Sequence, residues 1–398
     1  MIWNLYVTGG TVRTVIRQAD ALVARGRDVT IVSVICHSHR TEPFFAIDPR
    51  VHVELLIDRH TLGLGRSPRT RLLRALDGRP TLSTQFRDGR VDQASWLTDV
   101  LLCGRIARTP GVVIGTRMGI NLAVARFAPR ATVTIAQEHL QLKRYERAIR
   151  KAVRRHFPRL DLVASLTRSD AADYARALPG DRPAIVVVPN AIPDQPPEPA
   201  DPRAQRVVTV GRLAPGKAFH LLIDAFALIA DDHPGWTVRI IGEGPRHEAL
   251  AERAAAAELE DRIVLVGAIP DVDAELAAAS IFTLTSRFES FGLVLLEAMA
   301  AGVAIVSFPT PTGPRELLEH ERNALVATPL GDVRALADQL ARAMDDVGLR
   351  RRLATRAREE VAAFTVSAVT DRWVAILDEL QRDGRLRDPR PLGPMTTT

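Results

Sequence analysis

Two glutamates, Glu289 and Glu297, stand eight positions apart in RFESFGLVLLEAMAAG, residues 287–302. The second lies in an apolar run, FGLVLLEAMAA, that reads as a buried helix after the strand IFTLTS and the loop RFES. A buried carboxylate without partners is costly, so Glu297 must accept hydrogen bonds. A ribose diol offers two adjacent donors; a buried arginine would satisfy the same acid without a ligand. Glu289, in the loop, is placed either to reach hydroxyls of a second sugar or to cap the helix. The helix start presents the backbone N–H groups of Ser290, Phe291 and Gly292 with the positive end of its dipole, which makes an anion site. Gly292 permits close approach of a ligand.

VGRLAPGK sets Arg212 and Lys217 about a turn at the end of the strand RVVTVG. Two fixed cations there can grip a diphosphate and neutralise it as it leaves. IIGEGP ends another strand in Gly242 and Gly244, which serve backbone approach to a nucleotide or only the turn. In VGAIPD, the backbone at Gly267 and Ile269 is placed to contact a base. Asp271-Val272-Asp273 spells a D-x-D, but it sits at an expected helix start, where acids are favoured without a metal. Cys36, His37 and His39 lack a partner cluster that would complete a metal site, so no metal is assigned.

Those residues need strands to end where they stand. Short β-branched runs alternate with amphipathic segments almost throughout the 398 residues. The runs are IWNLYV, DVTIVSVI, VHVELLI, GVVIG, ATVTIA, DLVASL and AIVVV, then RVVTVG, WTVRIIG, RIVLVG, IFTLTS and VAIVSF. Such alternation predicts an α/β chain with parallel sheets covered on both faces. The length predicts two domains. The proline-rich PNAIPDQPPEPADPR marks a linker at 189–203, between domains at 1–188 and 204–367. A final helix is expected at 368–382, packing back toward the first domain, with a loose tail at 383–398. Residues 62–92 break the alternation as a long basic insertion. IWNLYV is short for a first strand, because Gly9-Gly10 follows at once; either it is the whole strand or the start omits upstream residues.

A charged fraction of 25% with 46% hydrophobic residues describes a globular chain, not a disordered one. The net charge of +6 suits anionic substrates or an acidic membrane surface, and no nucleic-acid motif accompanies it. Two cysteines without framework spacing, and no basic leader, lead to a cytoplasmic expectation. The apolar stretch 291–308 is long enough to span a bilayer, but Glu297 inside it and the stop at Ala301-Gly302 favour a buried helix and strand. KRYERAIRKAVRRHF, from Lys143 to Phe157, reads as one strongly basic helix, either resting on the inner face of an anionic membrane or simply solvated.

The second half resembles the family 4 retaining glycosyltransferases of the GT-B fold, in which two Rossmann-like domains face each other across a cleft. The matching stretches are VGRLAPGK, IIGEGP, VGAIPD, SRFESFGLVLLEAMAAGVAIVSF and TGPRELL, and Glu289 and Glu297 form the family's E-x7-E pattern. The resemblance covers 207–373. It implies that Arg212 and Lys217 bind the donor diphosphate and that Glu297 binds the ribose hydroxyls. It also implies that Glu289 contacts the transferred sugar, with the amides of Ser290, Phe291 and Gly292 around it. In the first half, Gly9-Gly10-Thr11 stands where the family has a glycine-rich loop near the donor phosphates, which assigns Gly10 to the donor. The Glu-Arg pair usual after that loop is replaced by Thr11-Val12-Arg13. His139, just after the strand VTIA, resembles the family's histidine near the sugar, and Asn190 resembles its structural Pro-Asn turn.

The implied reaction moves a sugar, by family frequency from a UDP-sugar, to a hydroxyl. The acceptor is expected to be a cell-envelope polymer or lipid, or a natural product, and TGPRELL leans toward the envelope. No cofactor is needed beyond the donor. A sugar-nucleotide epimerase shares the architecture but needs a set of proton-shuttling groups beyond His139. A non-catalytic sugar-nucleotide sensor would be expected to lack the cations or glutamates, all of which are present. A dehydrogenase is disfavoured because Gly9-Gly10-Thr11 is not G-x-G-x-x-G.

Overall fold

The computed structural model describes residues 1–7, 9–37, 42–64, 67–81, 94–195, 197–269 and 271–383. The described residues divide into two compact units, one of residues 1–191 with 366–383 and one of 192–365.

In the first unit, β1 (Thr30–Cys36) and β2 (His52–Asp58) form a parallel pair. A four-stranded parallel sheet runs in sequence order through β3 (Val112–Gly115), β4 (Val133–Gln137), β5 (Leu162–Ser165) and β6 (Ala184–Val187). IWNLYV does not form the strand expected of it. Ile2 and Trp3 pair with β1, through Ile2 N–H to the Val32 carbonyl at 2.9 Å and Ile35 N–H to the Trp3 carbonyl at 2.9 Å. Ser33 Oγ then accepts the Leu5 N–H at 3.1 Å, and Asn4 Oδ1 accepts the Tyr6 N–H at 2.9 Å. Side chains thus replace the ladder and the strand ends.

The helix Val366–Asp383 belongs to this first unit. Its Trp373, Ile376, Leu377 and Leu380 pack with Leu22, Ile135, Leu162 and Val186. Its Asp371 and Asp378 pair with Arg25 and Arg27.

The second unit holds six parallel strands, β7 (Arg206–Val210), β8 (Thr237–Ile241), β9 (Ile263–Gly267), β10 (Ile281–Leu284), β11 (Ala304–Ser307) and β12 (Leu325–Val326). Their spatial order is β9-β8-β7-β10-β11-β12. Counted within the unit this is 3-2-1-4-5-6, the dinucleotide-fold order, with its switch point between β7 and β10. β10 and β11 are buried along their whole length, as central strands covered on both faces must be. Their covering helices share a core built on Phe226, Ile240, Phe308 and Leu340. The stretch 291–308 is accounted for by the helix Leu293–Ala300 and β11. Among the described residues no helix is long and apolar enough to cross a membrane.

From Ile192 onward the proline-rich segment lies along the second unit. Ala200 N–H donates to the Ala301 carbonyl at 2.9 Å, and Arg350 and Arg358 donate to the carbonyls of Pro202 and Pro197 at 2.7 and 2.9 Å. The single basic helix expected at 143–157 is instead a short 3-10 turn, Leu142–Arg144, and a separate helix, Arg147–His156. Tyr145, buried in extended conformation, and the Leu142 N–H held by Asp170 at 3.0 Å separate the two. Of the basic insertion, Pro68–Asp77 is a helix capped by Ser67; residues 65–66 and 82–93 lie outside the described residues, as does His39.

Candidate active site

Ligands of such sheets bind beyond the carboxyl ends of the strands at the switch point, where the loops after β7 and β10 meet. After β7 the chain turns through Gly211 into a 3-10 turn, Pro215–Lys217, closed by Ala218 in the left-handed region at φ 50°. The loop after β10 clasps that turn. Thr285 Oγ1 donates to the Lys217 carbonyl at 2.9 Å, and Arg287 N–H donates to the Gly216 carbonyl at 2.9 Å.

The Lys217 stem folds over Gly211, where an added Cβ would stand 3.1 Å from Cε. Its Nζ reaches Glu289 Oε1 at 2.5 Å, and Ser286 Oγ donates to the same oxygen at 2.7 Å. The two charged side chains are 25% and 13% exposed, a largely buried pair. Arg212 projects from the same turn, exposed, with no ion-pair partner among the described residues.

A third loop, after β11, fixes the Glu289 backbone. Glu289 N–H donates to the Pro311 carbonyl at 3.0 Å, and Thr312 N–H donates back to the Glu289 carbonyl at 2.7 Å. Gly313 is required there, since a Cβ would lie 2.1 Å from the Phe291 carbonyl oxygen. This accounts for the glycine of TGPRELL.

The helix begins later than the sequence predicts. Gly292 is its N-cap, in the left-handed region at φ 88°, and Leu293 is the first helical residue. Ser290 and Phe291 are therefore loop residues, not helix-start donors. The Ser290 carbonyl accepts from Thr312 Oγ1 at 3.0 Å, and Phe291 is buried against Phe364 with ring centroids 5.9 Å apart. Glu297 sits on this helix at 8% exposure, as its apolar surroundings predict.

Gly242 and Gly244 have a demonstrable structural task. A Cβ on Gly242 would lie 2.0 Å from the Gly211 carbonyl oxygen, and one on Gly244 would lie 2.5 Å from that of Leu213. Their absence lets the loop after β8 continue pairing with the turn after β7, through Gly211 N–H to Ile241 at 2.9 Å and Leu213 N–H to Glu243 at 2.8 Å. Ile269 follows β9, partly buried. Asp271 caps the helix Val272–Ala277 by accepting the Ala274 N–H at 3.0 Å. No group of three or more metal-ligating residues occurs among the described residues.

In the first unit, Gly9 is the N-cap of the helix Gly10–Ala24, and both glycines are exposed. Thr14 Oγ1 donates to Asn190 Oδ1 at 3.3 Å, tying that helix to the Pro-Asn turn. His139 follows β4, and its Nε2 is buried without a hydrogen-bond partner. Burial holds the imidazole down at about 4, so the ring is neutral at neutral pH.

Beside it stands a residue the sequence reading missed. Glu138, 1% exposed, accepts from Asn121 Nδ2 at 2.7 Å. Burial pushes its carboxyl up to about 8 despite that hydrogen bond, so it carries a proton at pH 7. The signal available was an acid set directly after the strand VTIAQ.

Residues 193–360 match the family model described as Glycosyl transferases group 1. An exopolysaccharide phosphotransferase of Streptomyces coelicolor is 34% identical over 391 residues, which is 96% of this chain and 40% of that protein. The chain thus spans well under half the length of that relative. An uncharacterized glycosyltransferase of Haemophilus influenzae is 23% identical over 94% of this chain and 98% of its own. Among solved structures, a mutant of Staphylococcus aureus TarM in complex with Fondaparinux, alpha-GlcNAc-glycerol and UDP aligns with a TM-score of 0.75 at 14% identity, covering 95% of this chain and 99% of that one. Anabaena HepE in complex with UDP aligns at 0.72 and 19% identity, covering 95% and 99%. The chain has the GT-B fold, and its residues 193–360 carry the glycosyl transferases group 1 pattern.

Proposed function

We propose that the chain is a retaining, metal-independent glycosyltransferase of family 4 type that uses a nucleoside-diphosphate sugar as donor. The observation that carries this reading is the contact between Lys217 and Glu289, residues from either side of the switch point, joined at 2.5 Å one loop away from the buried Glu297. In this reading Lys217 and Arg212 hold the donor diphosphate, Glu289 meets the transferred sugar and Glu297 takes the ribose hydroxyls. UDP in the TarM and HepE complexes supports a UDP-sugar.

Breaking the glycosyl–phosphate bond leaves negative charge on the diphosphate and positive character on the sugar. The two cations stabilise the first, and Glu289, paired with Lys217, faces the second. The acceptor oxygen bonds to the anomeric carbon on the face the diphosphate leaves, and the acceptor's proton passes to a phosphate oxygen. His139, neutral, enters as a hydrogen-bonding group rather than an acid. Names among the relatives, including lipopolysaccharide core and poly(glycerol-phosphate) transferases, support an envelope polymer as acceptor. The exposed Arg147, Lys151, Arg154 and Arg155, with Ile149 and Val153 buried beneath, would rest such an enzyme on an anionic membrane.

The test is turnover of UDP-sugars by Lys217→Ala, with cell extract supplying acceptor. Activity is expected to fall by about 100-fold or more, the usual cost of one charge-stabilising donor, while the melting temperature holds. Unchanged turnover, or a covalent sugar adduct on Glu289, would count against the mechanism.

A further inference from the structure

Behind the Pro215–Lys217 turn lies a second cleft of about 330 Å³, within the size range of small-ligand sites. Its apolar floor is Ala218, Phe219 and Leu250, all buried. Arg246, Arg253 and Arg287 line it with His220. None of Lys217, Glu289 and Glu297 does.

Three guanidinium groups share this cleft, and only one has a carboxylate. Arg253 donates through Nη2 to Asp224 at 2.7 Å. The side chains of Arg246 and Arg287 have no ion-pair partner among the described residues. Their backbones are nonetheless fixed, Arg246 N–H on the Leu213 carbonyl at 3.0 Å and Arg287 N–H on that of Gly216 at 2.9 Å. Gathering like charges over an apolar floor is unfavourable unless an anion completes the group. Burial holds the His220 imidazole below the usual range, with Arg253, Arg287 and Arg246 adding to it and Asp224 opposing them.

We propose that this cleft is a second anion site, which takes the phosphate or diphosphate group of a small ligand through Arg246, Arg253 and Arg287. Planar guanidinium forks suit phosphate oxygens, and the floor accommodates the apolar face of the group that carries them. The proposal does not depend on the donor assignment. The ligand is a phosphorylated compound distinct from the donor, and the arms of the test separate it from the donor's own diphosphate.

The experiment is calorimetric titration of the full chain with pyrophosphate and, separately, with UDP. Three variants are compared with the parent: Lys217→Ala, the double variant Arg246→Ala with Arg287→Ala, and the double lysine variant at the same positions. Pyrophosphate affinity is expected to survive Lys217→Ala, to fall at least about tenfold in the double alanine variant, and to recover in part with lysines. UDP affinity is expected to persist in the double alanine variant. In ¹³C-histidine spectra, pyrophosphate should move the His220 titration upward. Pyrophosphate binding that is absent from the parent, lost in Lys217→Ala or indifferent to the arginines overturns the proposal. So does UDP binding lost with the arginines, which would make the cleft part of the donor site. Because none of these readouts uses turnover, a failure here is distinguishable from a failure of the glycosyltransferase reading.

Discussion

Glu138 and His139 are neighbours whose charges are both suppressed by burial, and they bend the stability curve in opposite directions. His139 titrates near 4 when folded and from its ordinary 6.5 when unfolded, so the unfolded chain binds more protons between those values and stability rises with pH there. Glu138 titrates near 8 when folded and from 4.5 when unfolded, so stability falls as pH rises between them. Above 6.5 only the second effect operates. We predict that Glu138→Gln, which keeps a group able to accept from Asn121, removes much of the stability loss between pH 6.5 and 8, read as melting temperature against pH. A variant curve parallel to the parent's would show that Glu138 is ionised in the fold. Nothing in the sequence gives this behaviour. Acid-after-strand is visible in AQEHL, but the burial that protonates it comes only with the fold, against the hydrogen bonds that Asn121 and Tyr145 give it.

At the scale of elements, five strands of the second unit stand where β-branched runs predict them, because central parallel strands are apolar on both faces and announce themselves. β12 escaped, since two residues, Leu325 and Val326, carry no period to read. The helix start was misplaced by two residues because left-handed Gly292 is a property of backbone angles, not of composition. The pairing of Lys217 with Glu289 needs the strand order as well as the motifs, for the two are 72 residues apart. The arginine cleft was invisible for the same reason, since Arg287 stands far along the chain from the helix start and body that carry Arg246 and Arg253. Gly242 gives the most direct check of how these loops interlock. With a Cβ placed 2.0 Å from the Gly211 carbonyl oxygen, Gly242→Ala must push the turn that carries Arg212 and Lys217. A loss of about 1–3 kcal/mol by denaturant titration, the usual cost of overpacking, is expected together with weakened UDP binding. Retained stability and affinity would mean that the loop after β8 moves independently.

On the scale of the whole molecule, the first unit is completed by chain that follows the second unit. Trp373, 1% exposed, is the largest side chain among those fully buried and packs with residues of β4, β5 and β6. Trp373→Ala is predicted to destabilise the first unit by about 3–5 kcal/mol while leaving the 192–365 unit at its parental stability. Hydrogen exchange resolved by unit would separate the two, and equal losses in both would refute an independent response. Synthesis runs from the amino-terminal side, yet the segment 366–383 that seals the early sheet emerges only after the entire uninterrupted unit 192–365. On the ribosome, therefore, the later-made half can finish closing first, and the earlier half must wait with an apolar seam open until its last helix comes free.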